Sequence, residues 1–372
     1  MTLRFFKKRI HQATMVLVTL GTSTLGLSVT QYKKIGIPYT TNSSQLRSSI
    51  TPKTIDRKIE LTIPYKKLKA RAKKFSKDER VDPVQVYVPR NEREFNKVLK
   101  KVSKKRSRAF VRSYFQEKLD KASKKKDRVL VDLDKSVINK VKLRPIGKIM
   151  SRTHHNVKVD VKALNEDTKT RKELLGQMKL FLKTRQRVKI ARKLKSEKDL
   201  SIHKDLLPEF ARKMAKKYVV FRGPNCFHAA LAFHGQKLTK SSFVNVKKEK
   251  GYHRAMINYD ELWRAINRHF YEVDTSKSSL KYGDMLVFFN IPSKKEMSVN
   301  FRWIRHTATY LFGEYTFSKG SKSPNTPYSV KTLNEEWSTW DKYTKKLGVR
   351  VYRRVSRQSA RGTPKDLTDW IF

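Results

Sequence analysis

The amino-acid sequence predicts an α+β protein of more than one domain, on three observations. Its 372 residues exceed what a single hydrophobic core usually organises. Through residues 57–205 short alternating runs interleave with basic amphipathic helices, an α/β pattern. After residue 206 one strongly apolar helix is followed by a series of apolar strands, the signature of an antiparallel sheet with a helix laid on it. A hydrophobic fraction of 38% with 10% aromatic residues suffices for such cores.

Taken from the amino terminus, residues 1–31 place Arg4, Lys7, Lys8 and Arg9 before an apolar stretch from Ala13 to Val29. That order predicts a signal peptide or membrane anchor, with the remainder exported to the periplasm or cell envelope. Residues 32–56 are rich in Ser, Thr and Pro without apolar periodicity and read as a linker.

In the basic region, Lys58 to Ile63 and Val84 to Val88 alternate as strands. Asn91, with Glu94 three positions on, opens a helix through Phe95, Leu99 and Val102. A second helix is expected over 109–122, strands over 128–133 and 157–161, and helices over 171–194 and 204–217.

The charge balance is extreme: 86 Lys and Arg against 33 Asp and Glu give a net charge of +53. Such a field calls for an anionic partner, and counterion release favours any polyanion alike. An anionic cell-wall polymer, a membrane surface and nucleic acid all satisfy it. No zinc finger, KH or RRM signature or Walker loop is present, so nucleic acid has no support beyond charge and is not preferred.

The single cysteine, Cys226, excludes an intrachain disulfide and a cysteine-rich zinc site. Gly223 and Pro224 make a turn before it, and Asn225 is a good N-cap for the apolar run Ala229 to Phe233. Cys226 therefore falls in the first turn of a helix, where unpaired N–H groups and the helix dipole favour thiolate. The same N–H groups can receive an oxyanion. Further on, Gly283 and Asp284 turn into an apolar strand reaching Phe289. His306 then begins a strand that breaks at Gly313, and Tyr315 to Lys319 returns as a hairpin. Trp337 and Trp340, three apart on an amphipathic segment, are expected in the core, and residues 348–355 close the sheet.

A helix opening with Asn225 and Cys226, a Gly283–Asp284 turn into an apolar strand, and a strand starting at His306 resemble the catalytic core of NlpC-type cell-wall peptidases. These are papain-like cysteine hydrolases. The resemblance covers residues 206–356 and implies an NlpC-like papain fold, with the Cys helix packed on an antiparallel sheet that bears the His. A tail over 357–372 follows. The resemblance implies that Cys226 is nucleophile, that His306 is base, and that a third polar group orients the imidazole. About twelve positions beyond the histidine the nearest residue is Ser318, a poor acceptor beside Lys319, which accepts nothing. Asn225, His228 and Lys319 are candidates for the cleft or oxyanion site; Asn225 stands where the family commonly has aspartate.

His234, His253 and His269 show no metal-ligand spacing, so neither metal nor cofactor is expected. The expected function is thiol-dependent cleavage of an amide bond in peptidoglycan stem peptides. An inactive envelope-binding scaffold with the same fold, and a nucleic-acid-binding protein, are the alternatives. Oligomeric state is not encoded in any feature of the sequence.

Overall fold

The computed structural model describes residues 40–77, 83–149, 152–218, 223–235, 257–291, 304–323, 325–344 and 346–354. The expected signal or anchor segment, the start of the linker and the carboxy-terminal tail lie outside these residues. Among the described residues no helix is long and apolar enough to cross a membrane.

The chain is a mixed helical and antiparallel-sheet protein, α+β as expected. Its strands are β1 (Thr54–Leu61), β2 (Val84–Pro89), β3 (Arg128–Leu133), β4 (Arg152–Val159), β5 (Leu200–Ser201), β6 (Phe270–Val273), β7 (Met285–Asn290), β8 (Ile304–Phe312), β9 (Tyr315–Lys319), β10 (Tyr328–Thr332) and β11 (Leu347–Arg354). The helices of the amino-terminal half are α1 (Tyr65–Lys77), α2 (Glu92–Val102), α3 (Arg108–Asp120), α4 (Lys135–Ile138), α5 (Leu143–Ile149), α6 (Val161–Glu166), α7 (Thr168–Met178) and α8 (Thr184–Lys195). The remainder are α9 (Glu209–Met214), α10 (Cys226–His234), α11 (Tyr259–His269) and α12 (Leu333–Asp341).

Three layers of organisation follow from where apolar residues fall. The hairpin-like pair β2–β3 buries Val84, Val86, Val88, Val131 and Leu133 against Phe95, Leu99, Val111 and Phe115 of α2 and α3. Asn91 caps α2, its side chain accepting the Glu94 N–H at 3.1 Å, as the spacing predicts. The carboxy-terminal half is built on a six-stranded sheet of order β10-β9-β8-β7-β11-β6, antiparallel at every pairing. β7, β8 and β9 are buried along almost their whole length because elements cover both faces of this sheet, and β7 accordingly reads as an apolar run rather than an alternation.

Between them lies a small sheet of order β1-β4-β5. Its core is shared: Val157, Val159, Leu174, Leu182 and Ile190 pack with Phe233, Leu311, Phe312, Phe317 and Val330 from beyond residue 206. One core thus spans both sides of the expected boundary at residues 205 and 206. A buried polar bridge adds to it, in which Arg71 donates to Asn325 Oδ1 at 2.7 Å while Asn325 donates to Gln85 Oε1.

Several element expectations are corrected. The segment read as a linker is folded from Thr40 onward: Thr40 and Val349 exchange backbone hydrogen bonds at 3.2 and 2.8 Å, and Leu46 and Ile50 are buried. Its polar composition hid two apolar anchors that dock on existing cores. The helix expected over 171–194 is two helices, because Phe181 and Leu182 leave the helical path to enter the shared core. The helix expected over 204–217 shrinks to α9, preceded by Pro208, which has no N–H to continue a helix backwards. The strand expected over 157–161 is β4, which begins earlier, and Asp160 caps α6 instead of continuing it.

The break between α7 and α8 makes one glycine irreplaceable. Gly283 has φ +90°, and a Cβ there would come within 2.1 Å of the Phe181 ring. Gly283→Ala combines a disfavoured backbone with a steric clash. We expect it to lower stability by about 2–4 kcal/mol, read as a fall in thermal midpoint, whereas Gly176→Ala, which meets nothing within 4 Å, leaves the midpoint unchanged or raised.

Candidate active site

Asn225 builds the first wall of the site. Its side-chain oxygen accepts the His228 N–H at 3.0 Å, capping α10, and its amide donates to the Ile257 carbonyl at 2.7 Å. With both ends engaged, Asn225 anchors the helix mouth. All nine residues of α10 are buried, so the thiol of Cys226, itself only 7% exposed, is held rigidly at the first turn.

β8 carries His306, which is fully buried. The imidazole and the Cys226 thiol interact electrostatically, and the backbone N–H groups of Thr307 and Phe227 also bear on the sulfur. Burial alone would push the thiol up. The interaction with the imidazole, together with the two backbone groups, outweighs it and holds the thiol below its ordinary value.

On its other side the ring meets a carboxylate that sequence reasoning missed. Glu336 Oε2 lies 3.1 Å from His306 Nε2, with both side chains fully buried. Glu336 belongs to α12, whose start is fixed by a capping box between Thr332 and Glu335. Burial would depress the imidazole, but the Glu336 charge, together with the Cys226 contact, raises it to about 9. The carboxyl itself is held low despite burial by Lys331, 3.7 Å away, and by His306 and Ser318. By strict hydrogen-bond geometry neither ring nitrogen nor Glu336 Oε2 has a partner, so the contacts are electrostatic ones at close range.

The position of the third group is therefore corrected. Ser318 hydrogen-bonds to Glu336 Oε1, and it is Glu336 that faces the imidazole. A hydroxyl on β9 thus supports a carboxylate delivered from α12, two elements further along the chain. Trp340 completes the cage, stacked on His306 at 4.6 Å with a 17° interplanar angle, while Trp337 packs edge-on to Phe288. The two tryptophans are thus partly buried over the core as expected, and one of them also holds the imidazole plane.

The remaining candidates do not join the site. Lys319 is fully buried, but its ammonium donates to the carbonyls of Ser321 and, at 2.8 Å, Ser323, tying a loop rather than lining a cleft. His228 Nδ1 lies 2.9 Å from the Tyr328 hydroxyl, and burial, with the charge of Lys319, lowers its pKa to about 3. It is neutral at physiological pH and does not compete with His306 for a proton. Among the described residues no group of His, Cys, Asp and Glu is arranged to hold a metal ion.

A nucleophile with lowered pKa, a base with raised pKa and a buried carboxylate behind it can carry out acyl transfer through a covalent thioester. Comparison with known proteins gives no match, whether to family models, to curated sequences or to solved structures.

Proposed function

We propose that this protein is a thiol-dependent hydrolase of papain-like, NlpC-like type that cleaves an amide bond in peptidoglycan stem peptides of the cell envelope. The observation that carries the proposal is the convergence of Cys226, His306 and Glu336, from three separate elements, in one buried contact chain. Structural ion pairs also perturb pKa values, but a thiol at a helix mouth facing an imidazole backed by a carboxylate matches the needs of nucleophilic catalysis in every part.

In the proposed reaction the Cys226 thiolate attacks the amide carbonyl, and the tetrahedral oxyanion is received by backbone N–H groups at the start of α10. His306, as imidazolium, gives its proton to the departing amine, leaving a thioester on Cys226. Water then attacks the thioester with His306 as base, releasing the acid and restoring the thiol. Glu336 holds the ring in position and stabilises its charged form.

The net charge of +53 supports retention against anionic envelope polymers or membrane surfaces. The inactive-scaffold reading rested on the lack of an orienting group, and Glu336 supplies one.

Purified protein should release soluble fragments from peptidoglycan, and Cys226→Ala should release none above background. Equal release by the two would overturn the hydrolase reading.

A further inference from the structure

Outside the contact chain of the site lies a second buried histidine with unusual company. His155, on β4 of the basic region and 6% exposed, has Nδ1 2.5 Å from Asp56 Oδ2 and Nε2 2.8 Å from Glu335 Oε2. Asp56 comes from β1 and Glu335 from the first turn of α12. The other groups facing this cluster are Lys58, 3.4 Å from Glu335 Oε1, and the Tyr315 ring, 5.9 Å from the His155 ring.

Glu335 is the immediate neighbour of Glu336. Its carboxylate also accepts the Thr332 N–H at 3.1 Å, and its own N–H donates to Thr332 Oγ1 at 3.2 Å. The side chain that starts the helix is therefore the one His155 holds. The ring bridges Asp56 and Glu335, with one carboxylate at each nitrogen. The bridge fastens the origin of α12 to the β1–β4 pair.

We propose that His155 is a positioning residue for the Cys226–His306–Glu336 site, acting from the amino-terminal region through Glu335 to set where Glu336 meets the imidazole. This rests on the reading of that site as catalytic. It makes the basic region part of the hydrolase rather than a separate tether. Loss of the bridge frees the first turn of α12, the Glu336 contact lengthens, and the charged form of His306 loses support. The thiolate of Cys226 then loses its counterion.

The test follows Cys226 alkylation by iodoacetamide against pH in the full chain, with thermal midpoints measured alongside. The wild-type profile should have its midpoint well below the ordinary thiol value of about 8.5. His155→Ala should move that midpoint upward by roughly one unit. Glu335→Gln, which keeps shape but weakens the bridge, should move it in the same direction. Lys53→Ala, which removes an exposed ion pair to Asp160 on the same sheet, should leave the midpoint where it is. If His155→Ala does not fold, the Glu335→Gln profile decides alone. A low wild-type midpoint that neither variant moves overturns the role of His155 while leaving the site intact. A wild-type midpoint near 8.5 overturns the catalytic reading, and this inference with it.

Discussion

Replacing Glu336 with glutamine is expected to lower turnover by about 10²- to 10⁴-fold while leaving the protein folded. The substitution keeps the shape and the hydrogen bond from Ser318 but removes the charge beside His306. Without that charge the buried imidazole falls from its raised value, since burial then acts on it with less opposition. The sign for the thiol is the reverse. A less stable imidazolium is a poorer counterion, so the Cys226 thiol rises and less thiolate is present at neutral pH. The pH profile of Cys226 alkylation reads this directly. Its midpoint should lie at higher pH in Glu336→Gln than in the wild type. Matching profiles would remove Glu336 from the mechanism.

The second large effect concerns the Gly283–Asp284 turn. Asp284 is 1% exposed and is held by Arg353 of β11 in a fork, with Nε to Oδ1 at 2.8 Å and Nη2 to Oδ2 at 2.7 Å. The same carboxylate accepts the Lys281 N–H at 2.7 Å, and Arg353 also donates to the Ser279 carbonyl at 2.9 Å. Burial pushes Asp284 up even against these partners. Arg353→Met should cost about 3–5 kcal/mol, because it strands an uncompensated buried carboxyl. The thermal midpoint should drop by roughly 4–6 °C. The pH dependence has a definite sign. In the variant Asp284 rises further above its unfolded value, so stability should recover as pH falls toward the unfolded carboxylate range and decline as pH rises through the folded value. A midpoint loss independent of pH would mean that the fork is ordinary packing.

The two motif residues that suggested chemistry were legible for a physical reason. Turn and cap residues act locally, so Gly223, Pro224 and Asn225 announce the helix start that carries Cys226. His306 was legible because it lies near the start of a strand, which begins two residues earlier at Ile304 and which Gly313, at φ +57°, ends. Glu336 was not legible by counting from the histidine, because its contact with β8 is made across the fold from a helix. A signal was nonetheless present. Leu333, Glu336, Trp337 and Trp340 share one helical face, and an acid interrupting an otherwise apolar stripe must be buried with a partner. The Asp284 side chain shows the converse: the sequence marked it through the turn, while its partner, Arg353, lies in the last strand and carries no local mark.

The fold of the basic region was readable strand by strand but not in its attachments. Hydrophobic periodicity reports which face of an element is buried, and is silent on what covers it. Val157 and Val159 look the same whether they close a private core or one held in common with Phe312 and Phe317.

That common core sets an order of events during synthesis. Residues 157–207 leave the ribosome long before the strands at 304–330 that complete their packing, so the segment must wait, incompletely buried, for its distant counterpart. Cys226 and His306 become neighbours only when the last third of the polypeptide has arrived. Until translation is nearly finished, the nascent chain therefore cannot bring Cys226, His306 and Glu336 together.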